Sequence, residues 1–447
     1  MKRNSRQTTL SGSDGVDSLE NIDWTFEGVD TQQHTHGLHN YPARMVPQIV
    51  DSLLSYYNRE NVISEGDTVY DPFIGSGTTA VEARLHNMNV IGNDINPFAV
   101  MLSQTKSIPI DRSELVDSNS DLRDGLEAKL REIESQYEES ENIENIELPD
   151  INDGWFPEPQ LYQLCAIRDK IDQVERKFSD LVARFYRIVL SHTTRKVSYQ
   201  RNGEFKRYRM AESDREEYDP DVYPIFEDKL TKNIEMMKEY SKLVDETNRS
   251  DINLLDSREA SDTIGENTAD IVITSPPYGD HKTTVAYGQF SRDPAVLTGQ
   301  VSDNAMLQVD KNGLGGSNTV DNKISEIREK SPSLDATIEA LEEKDGRDDD
   351  ALDFFSDYYS VMEDVGKVLK SGQPVAWVVA NRTMSRVNIP THLVTRELCE
   401  SLGFTHETTL PREIPNKTLP WENAPENVTD LKGEMMANEN IVVMRSP

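Results

Sequence analysis

Two short runs in this 447-residue chain combine residue types that suit chemistry on an amine. Asp71-Pro72-Phe73-Ile74-Gly75-Ser76-Gly77-Thr78-Thr79 closes one apolar run, and Thr274-Ser275-Pro276-Pro277-Tyr278 closes another. In the second, the Ser275 hydroxyl and the Pro276 carbonyl offer two hydrogen-bond acceptors, and the paired prolines preset the direction of that carbonyl. An exocyclic amine on an aromatic base is a poor nucleophile because its lone pair is delocalised into the ring. Accepting both of its N–H protons favours a pyramidal nitrogen and aims the lone pair at an electrophile. Tyr278 adds a face on which a base can stack. A plain proline-rich turn is the bland alternative, and the flanking hydroxyl and aromatic tell against it.

The first run has the character of a ligand loop. Gly75 and Gly77 let the backbone approach a bound molecule, and the helix that follows presents N–H groups to a carboxylate. Asp94, in Gly92-Asn93-Asp94-Ile95-Asn96-Pro97, ends the next strand, where an acid can accept two ribose hydroxyls. An ordinary strand-to-helix turn would use the same glycines but has no need of that acid. No lysine follows the second glycine, which argues against a nucleotide triphosphate loop.

Together these runs resemble the amino-methylating DNA methyltransferases, which use S-adenosylmethionine to methylate cytosine N4 or adenine N6. The Ser-Pro-Pro-Tyr form leans toward cytosine N4. The resemblance implies a catalytic group of Ser275, Pro276, Pro277 and Tyr278. It implies a cofactor site of Asp71 (facing the ammonium of the methionine part), Phe73, Gly75, Gly77, Thr78, Asp94 and Tyr41, with Asp256 near the adenine amino group. It extends to His36-Gly37-Leu38-His39-Asn40-Tyr41-Pro42-Ala43-Arg44 at the methionine end, and past the claw into Gly279-Asp280 and Thr283–Ser291, read as a mobile loop closing over the site. Pro411–Lys417 also matches, and there Arg412 and Lys417 either touch DNA or pack on the sheet. In all it spans roughly residues 34–110, 185–210, 251–292 and 351–447. Here the cofactor motif precedes the catalytic one, the reverse of many N4-cytosine enzymes. A base stacked in duplex DNA cannot reach such a claw, so base flipping is implied.

Other chemistries fit less well. A carbon-5 cytosine enzyme needs a nucleophilic cysteine, usually after proline; Cys165 and Cys399 each follow leucine in apolar surroundings and read as core residues. RNA guanine-N2 enzymes usually carry Asp-Pro-Pro-Tyr and a separate RNA-binding domain. An adenine-N6 enzyme and a catalytically idle binding protein of the same fold remain alternatives. His34, His36 and His39 have no carboxylate or cysteine spaced to complete a zinc site, so no metal is expected.

The charge balance points away from nucleic acid at first: 80 acidic against 47 basic side chains, net −33. Either the partner is not DNA, or the acidity suits very salty surroundings, where repulsion is screened within about 3 Å at 1 M salt. The segment Arg184 to Arg209 answers locally. Arg195, Lys196, Arg201, Lys206, Arg207 and Arg209 are expected to meet double-stranded DNA, with Tyr199, Phe205 and Tyr208 interleaved. A solvated hairpin and helix face balanced by nearby glutamates is the competing account. No run reaches the roughly 20 apolar residues of a membrane span, so a soluble, cytoplasmic protein is expected. A cognate restriction endonuclease is a possible partner.

These elements require a sheet to hold them. Thr68–Tyr70, a helix from Thr78 to His86 and Val90–Gly92 form a strand–helix–strand unit. The expected fold is α/β, a Rossmann-like methyltransferase fold with a mostly parallel seven-stranded sheet and two insertions. Residues 1–30 read as a flexible tail, 31–110 as the cofactor half, 111–250 as a helical insertion and target-recognition candidate, 251–292 as the catalytic motif and loop, 293–350 as a polar insertion, and 351–447 as the rest of the catalytic domain. Residues 111–148, rich in Glu, are expected to be a solvated helix or linker.

Overall fold

The computed structural model describes residues 18–140, 143, 146–151, 154–201, 206–279, 285–299, 301–316, 321–344, 347–414 and 438–447. Its strands are β1 (Thr68–Asp71), β2 (Asn89–Asp94), β3 (Ser250–Leu254), β4 (Ile271–Thr274), β5 (Pro374–Ala380), β6 (Arg382–Met384), β7 (Val387–Ile389), β8 (Thr405–Glu413) and β9 (Asn438–Arg445). Seven of them form one sheet in the order β3-β2-β1-β4-β5-β9-β8, and β6 and β7 pair as a separate hairpin. Neighbours are parallel from β3 to β5, whereas β9 runs antiparallel to both β5 and β8.

The chain steps outward from β1 to β2 and β3, then returns to lay β4 on the other side of β1. Such a reversal opens a crevice at the carboxyl ends of the two central strands. Asp71 ends β1 and Thr274 ends β4. They are 203 positions apart and are joined by a hydrogen bond from Thr274 Oγ1 to Asp71 Oδ1 at 2.6 Å. The two chemistry-bearing motifs therefore start from adjacent strand tips.

Alternation along the strands explains why both faces are covered. Tyr70, Val272, Val375, Trp377 and Val442 pack beneath the helices Asp348–Val368 and Thr391–Ser401. Val69, Ile271, Ile273, Val378 and Ile441 turn the other way, toward helix Pro47–Arg59. Strands buried on both faces read as unbroken apolar runs, and β4 and β5 do so.

Both insertions bury more than their sequence suggests. Residues expected as a solvated helix or linker form helices Arg112–Arg123 and Leu126–Ser140, and these are not solvated all round. Leu115, Leu122, Leu126, Leu130 and Ile133 make a helical stripe in which each residue is at most 3% exposed. At about 1.5–3 kcal/mol per fully buried side chain, that stripe offsets the cost of ordering a charged segment. It joins a core shared with Phe98 of helix Pro97–Ser107 and with Phe185 and Phe226, so the insertion rests on the cofactor half. In the polar insertion, helix Pro332–Glu342 buries Leu334, Ile338 and Leu341 against the first sheet face. No described helix is long and apolar enough to cross a membrane.

Candidate active site

At the β1/β4 reversal lies an open cleft walled by residues of both motifs. Asp71, Phe73, Gly75 and Thr78 line it from the first motif, and Ser275 and Pro277 from the second. Asp94 enters from the tip of β2, Asp256 from just past β3, and Tyr41 from the segment before helix Pro47–Arg59.

The glycine loop is built by its own acids. Gly75 and Gly77 take φ of 50° and 86°, the left-handed region that glycine enters without strain. Phe73 N–H donates to Asp71 Oδ1 at 3.0 Å, and Gly75 N–H donates to Asp94 Oδ2 at 3.1 Å. A carboxylate thus engages the amide of Gly75 and fixes the bend of the loop. A Cβ on Gly77 would lie 2.8 Å from Ser103 Cα, so this glycine stands behind the cleft wall and serves close packing. The helix Thr78–Leu85 begins there with no side-chain cap, and Thr79 Oγ1 reaches Ile273 O at 3.3 Å, tying the loop to β4.

Asp94 Oδ1 also accepts the Asn96 N–H at 2.8 Å. Burial pushes both Asp71 and Asp94 up to about 6, against the pull of these hydrogen bonds. Two desolvated carboxylates on the wall of a largely apolar cleft suit a ligand that brings an ammonium and vicinal hydroxyls. Asn96 donates to Tyr41 Oη and to Ser291 Oγ, each at 3.0 Å. Asp256 is held by Arg258, Nη2 to Oδ2 at 2.6 Å.

Beyond the claw, Tyr278 Oη donates to Glu439 Oε1 of β9 at 2.8 Å. Glu439 pairs with Arg412, which is 4% exposed and donates from Nε to Trp24 O at 2.9 Å. Arg412 therefore packs on the sheet, the second of the two options its sequence left open. Lys417 lies outside the described residues, as do residues 280–284 of the expected mobile loop and Phe205. From Val285 onward that loop is described, and Tyr287 stacks on Tyr41 with ring centroids 5.8 Å apart.

The basic island divides. Arg207 pairs with Asp293 at 2.6 Å and lies 3.8 Å over the Trp155 ring. Arg195 covers the Phe290 ring at 3.8 Å and donates to Phe290 O. Both were expected on DNA; the structure uses them to fasten the helical insertion to helix Tyr287–Leu297. Arg187 is likewise spent on Asp172 and Glu175. Lys196, Arg201 and Arg209 are exposed, Lys206 is half-buried, and Tyr208 stands 51% exposed among them.

Sequence spacing left the histidines without a carboxylate partner, but the fold supplies one. His36 Nε2 meets Glu82 Oε1 at 2.7 Å. Burial drives Glu82 up to about 8 and His36 well below its ordinary value, so near neutral pH the carboxyl donates to an uncharged ring. Asp51 and His86 make a second pair beside them at 2.8 Å. Cys165 and Cys399 are buried, and burial raises both thiols.

Sequence reasoning missed one wall altogether. Val309, Asn312, Gly313 and Leu314, from the polar insertion, line the same cleft. The available signal was the cluster Gly313-Leu314-Gly315-Gly316, glycines of the kind that mark a close backbone approach.

Comparison with known proteins agrees with this geometry. A family model described as DNA methylase, covering N6 and N4 enzymes, matches residues 2–105 and so includes the glycine loop. The Type II methyltransferase M.MvaI of Kocuria varians is 34% identical over 432 residues, 94% of this chain and 93% of its own length. The Type II methyltransferase M.BsoBI of Geobacillus stearothermophilus is 25% identical over 276 residues, 55% of this chain and 50% of its own. An identity of the first extent, over a methyltransferase sheet with both motifs at one cleft, means that the chain belongs to the N4/N6 amino-methylating DNA methyltransferases, whose methyl donor is S-adenosylmethionine.

Proposed function

We propose that this protein is a site-specific DNA methyltransferase acting on cytosine N4 in duplex DNA, with the target base flipped out of the stack. It would serve as the modification partner of a restriction endonuclease or alone. One observation carries this: Ser275 and the two desolvated acids Asp71 and Asp94 line a single cleft at the strand reversal. S-adenosylmethionine, when bound, supplies a methyl group on an electrophilic sulfonium. Asp71 faces the ammonium, Asp94 accepts the ribose hydroxyls, and Phe73, Gly75, Thr78 and Tyr41 shape the wall between. Ser275 Oγ and the Pro276 carbonyl accept the two amine N–H groups, Pro277 stiffens the turn, and Tyr278 supplies the stacking face. The Ser-Pro-Pro-Tyr form favours cytosine over adenine.

The exposed Lys196, Arg201 and Arg209, with Lys206 and the protruding Tyr208, supply the cationic and stacking groups that a DNA backbone and an opened base step call for. The test is nucleoside analysis of unmethylated DNA after incubation with enzyme and labelled cofactor. N4-methylcytosine is the expected product. N6-methyladenine alone would overturn the base assignment, and label in RNA but not DNA would overturn the substrate.

A further inference from the structure

The missed wall has a function of its own. Asp94 is placed for the ribose, and in dinucleotide-type folds the base continues outward past that acid toward the neighbouring strand. In this chain that direction is the space between the tips of β2 and β3. Ile95 lines the cleft there, together with Gly313 and Leu314 at the end of helix Asp303–Asn312. An ideal Cβ on Gly313 would lie 4.0 Å from Ile95 Cδ1, so the insertion packs directly on Ile95 and continues the wall that begins there.

Arg258 holds this wall in place. Its guanidinium grips Asp256 through Nε and Nη2, donates from Nη2 to Asn312 O at 3.1 Å, and meets Asp357 Oδ1 through Nη1 at 3.0 Å. Asp357 in turn accepts the Gly315 N–H at 2.9 Å. Gly315 has φ of 68°, and a Cβ there would sit 3.1 Å from the Phe354 backbone, so the turn presses on helix Asp348–Val368. One planar cation therefore joins the segment after β3, the polar insertion and that helix, a task suited to a fork of five fixed donors. The same insertion reaches the segment after the claw: Asp310 accepts the N–H groups of Gly288 and Gln289 at 2.8 and 3.1 Å.

We infer that residues 309–314 form the adenine-side wall of the cofactor cleft, and that Arg258 is the positioning residue that clasps it shut against Asp256. The inference rests on the cofactor site proposed above and adds a specific element to it. Arg258 does not touch the reacting atoms; it acts through Asn312, Asp256 and Asp357.

The experiment is calorimetric titration of wild type, Arg258→Ala, Arg258→Lys and Asp357→Asn with two ligands, S-adenosylhomocysteine and the fragment 5′-methylthioadenosine. The fragment keeps adenine and ribose but lacks the amino-acid end. Arg258→Ala is expected to weaken both ligands by about the same factor, roughly tenfold, the equivalent of one charged hydrogen bond at the lower end of its range. Lysine restores only part of this because it cannot fork. Asp357→Asn, nearly isosteric, gives a smaller loss in the same direction and covers the case in which Arg258→Ala does not fold. Both ligands binding the variants as tightly as wild type, or a lower melting temperature with unchanged affinity, overturns the clasp. Wild type binding neither ligand overturns the cofactor site itself, which is a separate result.

Discussion

Replacing Asp94 by Asn tests the cofactor geometry most directly. In the free protein the carboxylate accepts two backbone N–H groups, from Gly75 and Asn96, one on each oxygen. An amide has one acceptor oxygen, so either orientation sets an NH2 group against one of those donors and loosens the loop. It also removes the charged acceptor proposed for the ribose hydroxyls. Hydrogen bonds to charged groups contribute about 1.5–3 kcal/mol, which corresponds to a loss of roughly 10- to 150-fold in affinity for S-adenosylhomocysteine near neutral pH.

The pH dependence gives an independent reading. Burial raises Asp71 and Asp94 to about 6, and in the proposed site each would hold its ligand group as the ionised carboxylate. Affinity is therefore complete above that value and lost as pH falls through it, by roughly tenfold per group for one pH unit further down. Calorimetric titration of wild type across this range should show a slope approaching two protons, and Asp94→Asn a slope approaching one, with circular dichroism confirming that both stay folded. An affinity within about twofold of wild type, together with an unchanged slope, would refute the role assigned to Asp94.

Ser275→Ala should leave S-adenosylhomocysteine binding near wild type while lowering methyl transfer by about 10²-fold or more, on the scale of a lost transition-state acceptor; equal single-turnover rates would remove the hydroxyl from the mechanism. Gly77→Ala combines a left-handed φ with a methyl group 2.8 Å from Ser103 Cα and should cost at least about 1–3 kcal/mol, seen as a lower denaturation midpoint, with wild-type stability counting against it. Glu82 is raised from 4.5 to about 8 in the fold, so its contribution to stability is full below 4.5 and is lost as pH rises through 8. Glu82→Gln stays uncharged, and its melting temperature should fall less across that window than that of wild type.

How much of this was legible depended on whether the signal was local. The glycine loop, the claw and Asp94 each sit at the end of an apolar strand, so residue type and position within an element announced them. β8 was overlooked because Thr405–Glu413 is polar and half-exposed, and its pairing with β9 is a long-range fact. The stripe from Leu115 to Ile133 was hidden by the charges around it, although its spacing is helical. Positive charge misled in the opposite way: Arg195 and Arg207 look like DNA contacts in the sequence, yet Phe290 and Asp293 claim them, partners nearly a hundred residues downstream. Helix Asp303–Asn312 carries no motif at all, and only the fold brings its end to the cleft.

The distance along the chain between β1 and β4 also governs when binding competence arises. Val69 cannot find Ile271 until everything between them has been made, and closing so long a loop is slow and entropically costly. The helices between β2 and β3 supply most of one apolar cluster and can settle earlier. Ligand capture then becomes a late, all-or-none signal in refolding: helical dichroism should recover first, and a fluorescent cofactor analogue should light up only when the central strands zip together.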